Sequence, residues 1–252
     1  MEKAYLLHSR PYRETSAIVD LLTIDGGIIR AVVKGLRREA KSAQQLRGVL
    51  RPFQPILVEY RGRGDLKNLF RAEADGFLPE LGSKALYSGF YLNELVNKLL
   101  RDVESYPVFF DRYERALMAL AGCGGRQALS ADASVTSNAH IDTAAIAATL
   151  RSFEFYLVRV LGYGIDFFAE ADSGDPIEEQ ALYRFDAQQG FLRAGYRGTG
   201  RNDLFTGLEV IAIRESHWQS PGISNKARAL SRAVIDNLLG GQQLQSRKLF
   251  MD

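Results

Sequence analysis

The sequence predicts an α+β multidomain chain, with a small N-terminal β-barrel followed by a mainly α-helical domain that carries a small β-hairpin. Three observations carry this reading. Short β-branched and apolar runs fill residues 1–80, helical periodicity begins at Leu81, and charge divides along the same line. Residues 1–80 hold 14 Lys+Arg against 10 Asp+Glu, a net of +4, whereas residues 81–252 hold 18 against 20, a net of −2. Such segregation implies two parts with different partners.

Five strands are expected, over Ala4–Leu7, Ser16–Thr23, Ile28–Val33, Ile56–Tyr60 and Asn68–Phe77. Turn chemistry separates them: Ser9-Arg10-Pro11, Asp25-Gly26-Gly27, a long basic stretch, and Arg61-Gly62-Arg63-Gly64-Asp65. Asp-Gly-Gly between two apolar runs is a hairpin signal. Five short strands with one longer insertion fit a closed barrel of the OB-fold kind, since closure is how so small a sheet avoids open edges. Nothing in this part gives a long helical period, so the basic stretch is read as a loop.

Leu86, Phe90, Leu95, Leu99 and Val103 then recur at helical spacing, with Glu94, Lys98 and Arg101 on the other side. Pro107 opens a second helix with the stripe Phe110, Tyr113, Leu117 and Leu120. Residues 122–142 are small and polar and read as a connector. Asp142 is placed to cap a third helix, Thr143 to Leu161, whose stripe is Ile146, Leu150, Phe153, Leu157 and Leu161 and which Gly162 ends. Residues 166–186 hold seven acids and a single base, Arg184, and lead into a hairpin of Leu182–Asp186 with Gly190–Ala194. Helices over roughly Asp203–Glu215 and Ser224–Leu239 follow, the second stopped by Gly240-Gly241. The expected domains are residues 1–80, binding nucleic acid, and 81–252, helical, with the acidic loop and hairpin near 166–195.

A hydrophobic share of 46% and a charged share of 25% are those of a globular chain. No apolar run reaches the roughly 20 residues of a membrane span, and the N-terminus lacks a signal-peptide pattern, so no membrane partner is expected. Cys123, the single cysteine, excludes an internal disulfide and points to a reducing, cytoplasmic setting. Nucleotide-binding and nucleophile-elbow motifs are absent, and His8, His140 and His217 lack the spacing of a metal site. An enzyme has no positive support. No catalytic residue, metal or cofactor is expected.

Arg30 to Arg51 carries seven basic residues against one acidic residue, Glu39. A strand that ends in a long cationic segment suits a phosphate backbone. The candidate DNA-binding residues are Arg10, Arg13, Arg30, Lys34, Arg37, Arg38, Lys41, Arg47, Arg61, Arg63 and Lys67. Tyr12, Tyr60 and Phe70 lie beside cations and are candidate stacking surfaces, with barrel core the alternative for Tyr60 and Phe70. A protein-only adaptor built on the same barrel is the competing reading of the whole.

LLHSRPYRETS, VVKGLRR, LRPFQPI, YRGRGDLKNL, LYSGFYLNEL, FEFYLVRVLGYGIDF, YRFDAQQGF and LGGQQLQSRKLF together resemble the RecO family of DNA repair and recombination mediators. The resemblance runs from Tyr5 to Phe250 and implies an OB barrel followed by a helical domain. It further implies binding of single- and double-stranded DNA, annealing of complementary strands, and pairing with RecR. It also implies binding of the acidic C-terminal tail of single-stranded DNA-binding protein, and through these contacts help in loading RecA, in the bacterial cytoplasm. Some members carry a four-cysteine zinc site where this chain has residues 166–195. This chain has no cysteine there, so packing is expected to hold the hairpin, with the acids exposed. Arg151 matches a basic position the family uses for the tail, although Ser152 stands where relatives often have a second basic residue. Arg151, Phe155 and Arg159, at i, i+4 and i+8, would form a cationic-aromatic ridge at the rim of a hydrophobic slot.

Overall fold

The computed structural model describes residues 1–77, 79–100, 107–123, 142–195, 204–218 and 220–250. The chain divides into two compact units, Met1–Ile141 with Leu244–Asp252, and Asp142–Gln243. The first contains β1 (Glu2–Tyr12), β2 (Ser16–Thr23), β3 (Gly27–Val33), α1 (Lys41–Val49), β4 (Pro55–Arg61), β5 (Leu66–Ala74), α2 (Ser83–Leu99) and α3 (Pro107–Cys123). A C-terminal 3-10 segment, Gln245–Phe250, completes it. The second contains α4 (Thr143–Val160), β6 (Leu182–Asp186), β7 (Gly190–Arg193), β8 (Leu204–Thr206), α5 (Gly207–Arg214) and α6 (Pro221–Leu238).

The five N-terminal strands close into a barrel of order β1-β2-β3-β5-β4, the OB arrangement that the strand count predicts. Asp25-Gly26-Gly27 makes the β2–β3 hairpin, with Thr23 opposite Gly27 and Gly27 at a positive φ of 65°. A parallel pairing closes the cylinder, β3 on β5 over Arg30 to Val32 and Leu66 to Asn68. Inward residues fill the core, among them Leu6, Val19, Leu21, Ala31, Val33, Ile56 and Val58. All seven are buried, which leaves the alternate positions for solvent or for α2.

The basic stretch is not wholly a loop. Lys41–Val49 folds as α1, which has no side-chain N-cap. Most of its residues are good helix formers, and Ala43, Leu46 and Val49 recur every third position. Ala43 is buried and Leu46 and Val49 pack on the barrel core, so a weak amphipathic signal wins through tertiary contact.

α2 buries more of its surface than the expected stripe. Leu92, Leu95 and Val96 are wholly enclosed, whereas Phe90 lies at the rim and is exposed. Val103 and Arg101 lie outside the described residues, as does the connector beyond Cys123. Asn93 donates to the carbonyls of Leu6 and Leu7 in β1, and accepts from the Tyr113 hydroxyl of α3. The Tyr5 hydroxyl reaches Glu114 at 2.7 Å; burial and that carboxylate together raise its pKa. Glu94 and Lys98 form an ion pair at 3.3 Å, and Glu94 also accepts from the Gln245 and Ser246 amides and the Ser246 hydroxyl. The 3-10 segment is thereby pinned to α2, with Phe250 edge-on to Tyr87 and Tyr91.

In the second unit Asp142 caps α4 by accepting from the Ala145 amide, and Gly162 follows its end at a φ of 85°. Gly240 and Gly241, at φ 57° and 88°, terminate α6. The hairpin β6–β7 forms as expected but gains a third strand, giving the order β7-β6-β8. The helix expected from Asp203 therefore starts later. Thr206 is its N-cap and forms a capping box with Glu209, while Leu204–Thr206 pairs with β6.

The acids of 166–186 are not all exposed. Glu170 is buried, accepts from Ser173 and Tyr183, and pairs with Arg193 at 2.7 Å. Arg193 also reaches Glu178 at 2.9 Å, and these two carboxylates, Glu170 first, raise its pKa. An ion-pair staple thus joins the acidic loop to β7, where packing alone was expected.

Two outcomes follow from these contacts. A Cβ on Gly207 would lie 1.9 Å from the Glu178 carbonyl oxygen. Gly207→Ala is therefore expected to cost about 1–3 kcal/mol, read as a lowered Cm in urea. Burial pushes the Glu94 carboxyl up from 4.5, but the Ser246 and Gln245 hydrogen bonds and Lys98 outweigh it and hold the pKa below that value. A lowered folded pKa stabilises above the unfolded value, and that contribution is lost as pH falls through the folded one. Hydrogen exchange at the Gln245 and Ser246 amides should lose its protection as pH falls through the lowered Glu94 value, and Glu94→Gln should lose part of it at pH 7.

Candidate nucleic-acid interface

β3 delivers the chain to the barrel surface at Lys34, and Gly35, at φ 70°, turns it toward α1. Lys34, Arg37, Arg38 and Lys41 are all exposed, and none forms an ion pair among the described residues. Local hydrogen bonds hold the segment in place. The Arg37 amide donates to the Thr15 carbonyl and its guanidinium to the Arg13 carbonyl. Arg47, from α1, donates to the carbonyls of Leu36 and Arg38. Arg47 is therefore a brace for the loop rather than a free charge. The arrangement is a cationic rim on which four exposed side chains carry charge that no carboxylate neutralises among the described residues.

The other expected residues divide into groups. Arg30 is committed to the buried Asp20 at 2.8 Å, and Asp20 also accepts from Asn97 at 3.4 Å. Arg30 and Arg10 line a cavity of about 710 Å³ between β1–β3, α2 and the 3-10 segment, together with His8 and Lys98. Arg13 lies over the Tyr12 ring at 5.1 Å. Arg61 pairs with Glu59 at 2.7 Å and lies over the Phe70 ring at 5.5 Å. Arg63 is exposed in the β4–β5 turn, and Lys67 donates to the Gly62 carbonyl. Tyr60 is half-buried and packs against the barrel core; burial and its contact with Glu2 push its hydroxyl up to about 12. Phe70 does not: it is 65% exposed.

The α4 residues do not form the expected ridge. Arg151 is buried, not at a rim: it donates to Glu154 at 2.5 Å, and Glu154 accepts from Ser231 of α6 at 2.6 Å. The physical reason is the i, i+3 spacing, which turns Arg151 toward the one fully enclosed carboxylate of α4. The Arg151 Nε has no hydrogen-bond partner among the described residues. Phe155 packs between Phe167 at 5.9 Å and Trp218 at 5.7 Å, and only Arg159 is exposed, over the Tyr156 ring. Glu154, unnoticed in the sequence, is the residue that decides this site. Its signal was an acid three positions after an arginine on the apolar side of a helix.

Among the described residues no group of His, Cys, Asp and Glu is placed to hold a metal, and no helix is long and apolar enough to cross a membrane. His140 lies outside them. A closed five-stranded barrel with an exposed cationic rim, joined to helices and a small sheet, defines an OB-type protein of the α+β class. The family described as Recombination protein O N terminal matches residues 1–76. DNA repair protein RecO of Methylococcus capsulatus is 37% identical over 250 residues, 99% of this chain and 92% of that protein. Those of Klebsiella pneumoniae and Haemophilus influenzae are 34% and 32% identical, covering 99% of this chain and 91% and 95% of theirs. The chain belongs to the RecO family of DNA repair proteins.

Glu154→Ala would leave the Arg151 charge buried without its partner. It is expected to cost about 3–5 kcal/mol in urea unfolding, whereas Arg159→Ala, on the surface, should cost under about 0.5 kcal/mol.

Proposed function

We propose that this protein is a DNA-binding recombination mediator that anneals complementary single strands. With RecR, it helps RecA load on DNA coated by single-stranded DNA-binding protein during gap repair. It works in the cytoplasm by binding alone, with no bond made or broken and no cofactor. Residues 1–80 bind DNA and residues 81–252 face protein partners. The single observation that carries this reading is the row of solvent-facing cations Lys34, Arg37, Arg38 and Lys41 on a barrel of the RecO family. Annealing asks that two polyanions approach each other. A fixed cationic rim supplies this by taking up phosphate charge and releasing counterions.

The tail of single-stranded DNA-binding protein is assigned to the Phe155 and Arg159 face of α4, with Arg151 held in its ion pair behind. The exposed Arg159 guanidinium supports that assignment, since an acidic peptide calls for a cation at the surface of the helix. Family membership supports RecR and RecA as the assembly partners.

Filter binding of a labelled single strand at several salt concentrations tests the DNA site. With about five phosphates neutralised, log K against log[salt] should fall with a slope of roughly −3 to −4. Changing Arg37, Arg38 and Lys41 together to Glu should weaken DNA binding and annealing by more than about tenfold and leave binding of the acidic tail peptide unchanged. A flat salt dependence, or an unaltered triple variant, would leave the protein-only adaptor as the reading.

A further inference from the structure

β4 and β5 pair in a register that slips by one residue. Glu59 lies opposite Arg71, yet its neighbour Tyr60 lies opposite Leu69. Phe70 is the residue left over. A bulge of this kind interrupts alternation and re-aims the extra side chain. The consequence is visible in exposure: Leu69 and Ala72 pack on the barrel core, while Phe70 and Arg71 between them both face water. A phenylalanine 65% exposed on a strand of a closed barrel exposes apolar surface that the fold itself does not require.

Its surroundings indicate what it is for. The Arg61 guanidinium lies 5.5 Å from the ring centroid, yet the ring remains open to solvent with that contact in place. Arg61 also pairs with Glu59 at 2.7 Å, an ion pair open to solvent. The parallel pairing of β3 with β5 ends at Val32 and Asn68. Two residues further on lie Lys34, just past the end of β3, and Phe70 on β5, so the ring sits at the level where the cationic rim begins. Tyr60, the neighbouring aromatic, is turned into the barrel and is not available for this role.

We infer that Phe70 is a stacking platform for one unpaired nucleobase, and that it sets the preference of the interface for single strands over duplex. This rests on the proposed DNA site. An aromatic face accepts any base, because every base has a π-face, whereas bases in a duplex are already stacked on each other. The rim cations attract both kinds of DNA through phosphate. Phe70 contributes only where a base is free to leave its neighbours, and Arg61 puts a positive charge beside the phosphate of the nucleotide stacked there.

The test uses the full chain with a 2-aminopurine-containing oligonucleotide, alone and annealed to its complement. Wild type should quench 2-aminopurine in the single strand on binding. Phe70→Ala should lose that quenching and about tenfold in single-strand affinity, hold duplex affinity within about twofold, and keep the salt slope. Phe70→Trp should restore single-strand affinity, and Phe70→Leu, apolar but without a ring face, should not. An alanine variant that binds and quenches as wild type does overturns the inference. So does equal loss on both substrates, or rescue by Leu as well as by Trp. Loss of thermal stability in the alanine variant would also overturn it, because the ring would then be structural. Failure of the Arg37, Arg38 and Lys41 variant to weaken binding would sink the DNA site as a whole. Failure at Phe70 with that variant still impaired would sink the platform alone.

Discussion

Three residue pairs close the barrel, where β3 runs parallel to β5. Without them the first five strands would form an open sheet with two unpaired edges, a form prone to pairing with other chains. A parallel closure also dictates where the chain must go. β3 and β5 leave the cylinder in the same direction, so the residues between β3 and β4 must cross its end before β4 can run back. That crossing is the cationic segment with α1. Topology thus places the charge of residues 34–47 at one end of a rigid cylinder, and Arg47 keeps it there by bonding to loop carbonyls.

Charges of the same sign have been given different tasks by their neighbours. Arg30 neutralises the buried Asp20, where an unpaired carboxylate would be costly. Arg151 does the same for Glu154, and Arg193 for Glu170. Lys34, Arg37, Arg38 and Lys41 have no such obligation and stay in water. The first three ion pairs specify the fold, and the rim is left for a polyanion. Membership of the RecO family gives that rim its context in DNA repair.

Much of the fold was legible because its signals are local. Asp25-Gly26-Gly27, Pro107, Asp142 and Gly240-Gly241 each punctuate the chain by their own backbone chemistry, and the structure puts each where that chemistry demands. Errors arose where tertiary contact decides. α1 is short and forms because Leu46 and Val49 find the barrel core. Leu204–Thr206 is extended because β6 offers it an edge, although the Thr206 and Glu209 pair that starts α5 could have been read directly. The candidate site was legible in residue type but not in assignment. Sequence lists cations, and only coordinates tell which already have a carboxylate. The bulge at Phe70 is likewise invisible to a two-residue period, since one extra residue is all that distinguishes an inward ring from an outward one.

The first unit is made of two separated pieces of chain, Met1–Ile141 and Leu244–Asp252, and the Glu94 contacts to Gln245 and Ser246 join them. A ribosome therefore releases the last of these partners only after the whole intervening unit has been translated. Domains that fold in strict order as they emerge do not have this dependence. Here the barrel and its helices stay one carboxylate short of its donors until the residues that follow the second unit have been made.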